Sequence, residues 1–269
     1  MGAQVKEKGG LCVRSDVVQL REFYASPLGL ATRRTLSDVI GERWPSLGGD
    51  LLVGIGYANP LLRSFLRREK QSKKDGAMVL PLMPAGQGAI VWPDYGANRS
   101  ILCDEHRLPL RDGQANRLLL LHAFEHSADP AKLLAECWRV LTPGGRMMVI
   151  VPRRRGLWTR AQRAPFAGGQ CFTPAQLREQ ICEQFTHLHT GGVLHFPPLQ
   201  ARWLLKFSGV LGRLMPWVAP MFGGALLMEV EKQLYAGIKE RASPRSLRDY
   251  VPAAVKPALS RHRRDAPHT

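Results

Sequence analysis

Arg117-Leu-Leu-Leu-Leu-His122-Ala-Phe-Glu125-His126-Ser-Ala-Asp129-Pro130, followed by Leu133-Leu134-Ala-Glu-Cys137-Trp138-Arg-Val-Leu141-Thr-Pro143-Gly144-Gly145-Arg146-Met147-Met-Val-Ile-Val151, is the stretch that decides the fold. Leu118 to Leu121 form a continuous apolar run, the pattern of a strand buried on both faces of a parallel sheet. Asp129 is an N-cap and Pro130 suits the first helical position, where its missing N–H costs nothing. Leu133, Leu134, Cys137, Trp138 and Leu141 recur at helical spacing and mark a buried face. Pro143-Gly144-Gly145 is expected to stop that helix and turn the chain into a strand at Met147–Val151. Strand, helix, strand in this order predicts an open α/β sheet, which binds ligands at the carboxyl ends of its strands.

Outward from this unit, the pattern predicts five further strands. Asp50 to Ala58 is the first with its loop, Ala77 to Met83 the second and Ser100 to Asp104 a short third. Thr186 to Leu194 and Ala225 to Tyr235 close the sheet, after the strands at Leu118 and Met147. Asn59-Pro60 caps a helix from Leu61 to Arg68, and Thr173-Pro174 caps another running to about Cys182. Ahead of the sheet, Leu20, Phe23, Tyr24, Leu28, Leu36, Ile40 and Trp44 fall mostly at helical spacing until Pro45. Domain boundaries follow: a helical cover segment over 1–45, the sheet domain over 46–238 with a helical insertion near 199–218, and a basic tail over 239–269 with a disordered composition.

Composition bounds the function. A chain of 269 residues, 45% hydrophobic, buries a full core. No run reaches the roughly 18 apolar residues of a spanning helix, and Met1 to Asp16 has no apolar signal region. The five cysteines, Cys12, Cys103, Cys137, Cys171 and Cys182, are odd in number and lack metal-ligand spacing, so no metal site and a cytoplasmic setting are expected. The net charge of +16 is carried largely by arginine. It permits an anionic ligand, an anionic lipid surface or nucleic acid, and equally describes a solvated basic surface. No nucleic-acid-binding module accompanies the charge, so nucleic acid is not the expected partner.

The run from Leu121-His122 through Arg139-Val140-Leu141-Thr142-Pro143-Gly144-Gly145-Arg146 resembles the central signature of class I S-adenosylmethionine-dependent methyltransferases, in their small-molecule and quinone-type branch. The likeness extends over residues 20 to 235. It implies a Rossmann-like, seven-stranded, mostly parallel sheet with helices on both faces and an antiparallel last strand. It implies S-adenosyl-L-methionine as cofactor and a small or lipid-like methyl acceptor. Gly54-Ile55-Gly56-Tyr57-Ala58 follows a strand and precedes a helix, the context of a ligand-cradling Gly loop, and in the resemblance it holds the methionyl end of the cofactor. Sterics in a strand–helix turn would demand the same glycines.

Asp104-Glu105 matches the family position that accepts from the adenine amino group, with Leu108 packing on the ring; Asp104 as a loop cap is the alternative. His122, at the carboxyl edge of the fourth strand and beside the expected position of the cofactor's sulfonium, is a candidate cofactor contact and the candidate general base toward a phenol, hydroxyl or carbon acid, or else a residue that only lines the cleft. Arg153 and Trp158, after the fifth strand, are candidate acceptor contacts. The apolar and basic 199–218 segment suits an acceptor pocket, peripheral membrane contact or plain packing on the sheet.

Three customary polar anchors are missing. Leu52 stands where an acid usually precedes the loop, Met83-Pro84-Ala85 where a carboxylate usually binds the ribose, and Asn116 where the fourth strand usually starts with an acid. Gln87 is the neutral candidate to replace the ribose contact. The departures leave a second reading, a catalytically degenerate binding or regulatory protein on the same fold.

Overall fold

The computed structural model describes residues 15–71, 78–161, 164–198 and 223–233. The expected insertion near 199–218 and the basic tail lie outside these residues. A seven-stranded sheet forms the centre: β1 (Leu51–Gly56), β2 (Met78–Pro84), β3 (Ile101–Cys103), β4 (Ala115–Leu121), β5 (Leu141–Pro152), β6 (Thr186–Val193) and β7 (Ala225–Glu231). The spatial order is β3-β2-β1-β4-β5-β7-β6. All neighbours are parallel except β7, which runs antiparallel to both β5 and β6. The Rossmann-like, mostly parallel sheet with an antiparallel last strand is therefore present. No helix among the described residues is long and apolar enough to cross a membrane.

Helices α1 (Val17–Ala25), α2 (Pro27–Arg43) and α3 (Asn59–Gln71) cover one face; α4 (Pro130–Val140) and α5 (Pro174–Ile181) cover the other. The β4 leucines divide between the layers as the period of two requires. Leu119 and Leu121 join Leu36, Ile40 and Leu62 on one side, and Leu118 and Leu120 join Leu133, Cys137 and Leu177 on the other. Both faces are buried, which is why the run carries no polar alternation.

The leading segment is two helices where the apolar spacing suggested one. Pro27 lacks an N–H and forces Ser26 into an extended conformation (φ −72°, ψ 161°), so α1 ends there. The Ser26 hydroxyl then accepts from Gly29 N at 3.1 Å and caps α2. A Cβ on Gly29 would lie 1.9 Å from the Phe23 carbonyl oxygen, so only glycine permits so tight a corner. The far end of α2 is tied to the sheet by buried Glu229 of β7. It accepts from the Trp44 indole at 2.9 Å and from Arg43 at 3.1 Å.

The end of α4 also departs from its sequence reading. Pro143-Gly144-Gly145 does not stop the helix: Leu141 is already extended (φ −71°, ψ 137°), and the three residues lie inside β5 as an irregularity in its pairing with β4. The carbonyls of Trp138 and Leu141 instead accept from Lys232 Nζ, each at 2.6 Å, and the ammonium sits 5.2 Å from the Trp138 ring centroid. A cation beside the C-terminal carbonyls complements the helix dipole. This lysine follows β7 and lies 91 residues beyond Leu141, so no local motif announces it. Lys232→Met removes two charged hydrogen bonds at a buried position and is expected to lower the unfolding free energy by about 1.5–3 kcal/mol, measured by urea denaturation.

Candidate functional site

The carboxyl ends of β1, β2, β3 and β4 converge beneath α1. After β1, Gly56 has φ +85°, and a Cβ there would lie 2.3 Å from the Leu121 carbonyl oxygen and 2.9 Å from Ala123 Cβ. Tyr57 N donates to that same carbonyl at 2.8 Å. Gly54 is equally confined, with Leu62 at 2.6 Å and Ala58 at 2.8 Å from a notional Cβ. Packing of the chain on itself thus suffices to require both glycines. The turn still presents the start of α3, a 13-residue helix, to the cleft.

His122 begins the loop after β4 in the left-handed region (φ +53°), fully buried. For a residue other than glycine this conformation costs on the order of 1 kcal/mol and persists only when neighbours hold it. Its carbonyl accepts from Gln87 Nε2 at 3.0 Å, its Nδ1 lies 3.2 Å from Glu125 Oε1, and its Nε2 lies 3.0 Å from the Tyr24 hydroxyl. Its ring also meets Phe166 at a centroid distance of 4.7 Å. The tautomer with the proton on Nδ1 satisfies both contacts, Nδ1–H donating to Glu125 Oε1 and Nε2 facing the Tyr24 hydroxyl. Nε2 is then a lone pair, and the Tyr24 hydroxyl donates to it. The result is a buried Tyr24–His122–Glu125 hydrogen-bonded chain.

Tyr24 holds this chain closed from above. Burial first, then the charge of Glu125 and the neighbouring Tyr57, raise its pKa well above the usual 10.0, so the phenol stays protonated. It stacks on Tyr57 at 5.7 Å and 29°, and burial pushes the Tyr57 phenol up to about 12 against the opposing charge of Arg21. Tyr24 was legible in the sequence only as one member of an apolar helical stripe. Its partner lies 98 residues away, and no spacing rule links them.

The other expected residues are distributed unevenly. Of the acidic pair after β3, Asp104 turns outward, its side chain 66% exposed, and its Oδ1 accepts from His106 N at 2.9 Å as a loop cap. Glu105 is the buried member. Leu108 is buried as well, its N–H donating to Glu136 at 2.8 Å. Arg153 is half-buried beside His195, whose pKa is lowered by burial and by that guanidinium.

Trp158 departs from its expected acceptor-facing role. It is fully buried, its indole donates to the Phe196 carbonyl at 2.8 Å, and it packs edge-on against Phe23, Phe166 and Phe196. Gly224 makes the room, since a Cβ there would lie 2.0 Å from the indole. Trp158 therefore supports Phe166, and through it His122, from behind.

The three missing anchors have structural roles. Leu52 and Met83 are core residues, and Asn116 Oδ1 accepts from Leu51 N at 2.9 Å. Gln87, expected as the neutral substitute, is buried, and its Oε1 has no hydrogen-bond partner among the described residues. With its Nε2 held by His122, that oxygen is a fixed acceptor at the carboxyl end of β2. Such an acceptor fits a hydroxyl-bearing ligand, and buried Glu105 fits a ligand with an amino group, so the residues present fit a nucleoside cofactor.

Comparison with known proteins bears on the fold. Residues 87–149 match the methyltransferase domain family model. The chain is 30% identical over 148 residues to demethylmenaquinone methyltransferase of Thermus thermophilus, covering 52% of this chain and 66% of that protein. It is 47% identical over 51 residues to an uncharacterised 37.1 kDa protein of transposon TN4556 from Streptomyces fradiae, covering 19% of this chain and 15% of that one. The chain thus spans less than two thirds of either curated relative. Among solved structures, a SAM-dependent methyltransferase of Thermotoga maritima superposes with a TM-score of 0.55 at 12% identity, over 81% of this chain and 96% of that one. One from Archaeoglobus fulgidus reaches 0.50 at 14% identity, over 74% and 94%. The fold is that of S-adenosylmethionine-dependent methyltransferases, and residues 87–149 carry the methyltransferase domain match. The cofactor that this match implies is S-adenosyl-L-methionine.

A raised phenol pKa has a defined consequence for stability. Tyr24 and Tyr57 titrate higher folded than unfolded, so their contribution is complete below the unfolded value of about 10; for Tyr57 it is lost as pH rises through about 12, and for Tyr24 as pH rises through its own raised pKa. Equilibrium unfolding as a function of pH should show this alkaline loss, and Tyr24→Phe with Tyr57→Phe should flatten it.

Proposed function

We propose that the protein transfers a methyl group from S-adenosyl-L-methionine to a small or lipid-like acceptor whose reacting group is a phenol, hydroxyl or carbon acid. The Tyr24–His122–Glu125 chain at the carboxyl edge of the sheet, beside the Gly54–Ala58 turn, is the observation that carries this reading.

When bound, S-adenosyl-L-methionine supplies an electrophilic methyl group. Gly54, Gly56, Tyr57 and Ala58 would hold the cofactor's methionyl end, Gln87 Oε1 a ribose hydroxyl, and Glu105 with Leu108 the adenine; exposed Asp104 is the weaker candidate of its pair. His122 then needs only to accept the acceptor's proton at Nε2, the lone pair that Glu125 maintains. The Tyr24 hydroxyl occupies that position, so the acceptor either displaces it or delivers its proton through it. Positioning supplies most of the remaining rate, because an in-line approach to a reactive methyl asks for orientation more than for further chemical groups.

A second reading, a binding protein that has lost turnover, is favoured by one observation: β2 ends in the buried apolar Met83 where a ribose-binding carboxylate is customary. Calorimetry with S-adenosylhomocysteine and turnover assays separate the two. Under the methyl-transfer reading the product analogue binds, and Gln87→Ala weakens it about tenfold or more, the cost of one buried hydrogen bond. His122→Ala leaves that affinity in place while lowering turnover about 10²–10⁴-fold. Absence of binding at millimolar ligand would remove the methyl-transfer reading, and robust turnover would remove the second. Binding without turnover across hydroxylated and quinol acceptors would favour the second.

A further inference from the structure

One cavity adjoins the Tyr24–His122–Glu125 chain, with Tyr24 and Tyr57 in its wall. It measures about 640 Å³ and opens between α1, α2, α3 and the loop after β2. That volume is ordinary for a small-molecule site. Its lining includes Arg21 and Tyr24 from α1, Leu30 and Arg33 from α2, and Asn59 and Arg63 from α3.

The three helices share a chemistry. Three guanidiniums, from Arg21, Arg33 and Arg63, line the cavity. Arg63 pairs with exposed Asp94, whereas Arg21 and Arg33 make no ion pair among the described residues. Arg33 is half-buried, and its pKa is lowered by burial and by repulsion from Arg63, Arg34 and Arg67. Like charges gathered in a concave wall are relieved by an anion, which guanidinium forks bind well. The α3 N-terminus adds positive potential of its own. At that terminus Asn59 is 2% exposed, and its Oδ1 has no hydrogen-bond partner among the described residues while its amide nitrogen rests on Met83 Sδ at 3.9 Å. A buried acceptor without a donor marks a place for a ligand hydroxyl. The remaining wall holds apolar Val17, Leu30, Ile90 and Trp92 together with Tyr57 and the Asp94 carboxylate that pairs with Arg63.

We propose that this cavity binds an amphiphilic anion carrying a hydroxyl beside its charged group, with the anion on Arg21 and Arg33, the hydroxyl on Asn59 Oδ1, and the apolar body along Val17, Leu30 and Trp92. Tyr24 lines the cavity and also meets His122, so the ligand lies against the Tyr24–His122–Glu125 chain. Its assignment as the methyl acceptor rests on the methyl-transfer reading; its binding does not.

The probes are β-hydroxydecanoate, decanoate and decanol, titrated calorimetrically into the full chain, with S-adenosylhomocysteine titrated separately. Affinity is expected to fall in that order, with β-hydroxydecanoate about tenfold or more tighter than decanol. Arg21→Gln with Arg33→Gln should abolish the preference for the anions, and Asn59→Ala should abolish the preference for the hydroxylated one while leaving decanoate unchanged. Folding of each variant is checked by its thermal transition, and S-adenosylhomocysteine affinity should stay within about twofold in the arginine variant, well short of the loss of one charged hydrogen bond. Equal affinity for decanoate and decanol would overturn the proposal and leave the methyl-transfer reading standing. A parallel fall in S-adenosylhomocysteine affinity would also overturn it, by making the cavity the cofactor's own. Arginine-dependent binding of β-hydroxydecanoate by a protein that ignores S-adenosylhomocysteine would uphold the site and remove the reading.

Discussion

The close crossing of the chain at Gly56 and Leu121 is the constraint on which the site depends. The two central strands run parallel and end at the same level, and the backbone after β1 crosses the loop after β4 with no room for a Cβ. The crossing sets Tyr57 and His122 side by side under α1. It also explains why both ends of the arrangement are conformationally unusual, with Gly56 and His122 each at positive φ. Glycine adopts that geometry freely; histidine adopts it here because Gln87, Glu125, Tyr24 and Phe166 hold it from four directions.

Around this crossing the polar chemistry is concentrated and nearly dry. The Tyr24–His122–Glu125 chain and Gln87 lie beneath α1, whose own entry is fixed by the bond from Val17 N to the Gln87 carbonyl at 3.0 Å. The same helix therefore closes the cleft, contributes Tyr24 to that chain and contributes Arg21 to the neighbouring cavity. Movement of α1 would alter all three together. The arginine surplus has a local expression here, because guanidiniums from three helices line one concave wall.

The fold was read well from local pattern, because it is written in short-range rules. Continuous apolar runs marked the buried strands, and the caps at Asp129 and Thr173 marked helix starts that the structure reproduces. Errors arose where a distant group replaced a local one. Lys232 took over the stop expected of Pro143-Gly144-Gly145, and Ser26-Pro27 divided a stripe whose apolar spacing runs through the break. Within the site, His122 and Glu105 were nameable from their places after strands. Tyr24, Phe166 and Asn59 were not, since each acquires its role from residues that only folding brings near.

By itself, the sequence determined the sheet, its helices and the family resemblance, since hydrophobic period and turn chemistry act over a few residues and survive any tertiary arrangement. Tertiary structure alone decided which side chains face one another: Asp104 out and Glu105 in, Trp158 behind the site, Tyr24 on His122, and three arginines around one cavity. Those outcomes depend on how helices pack across the sheet, and burial, hydrogen bonding and charge repulsion act there between residues that the linear order keeps apart.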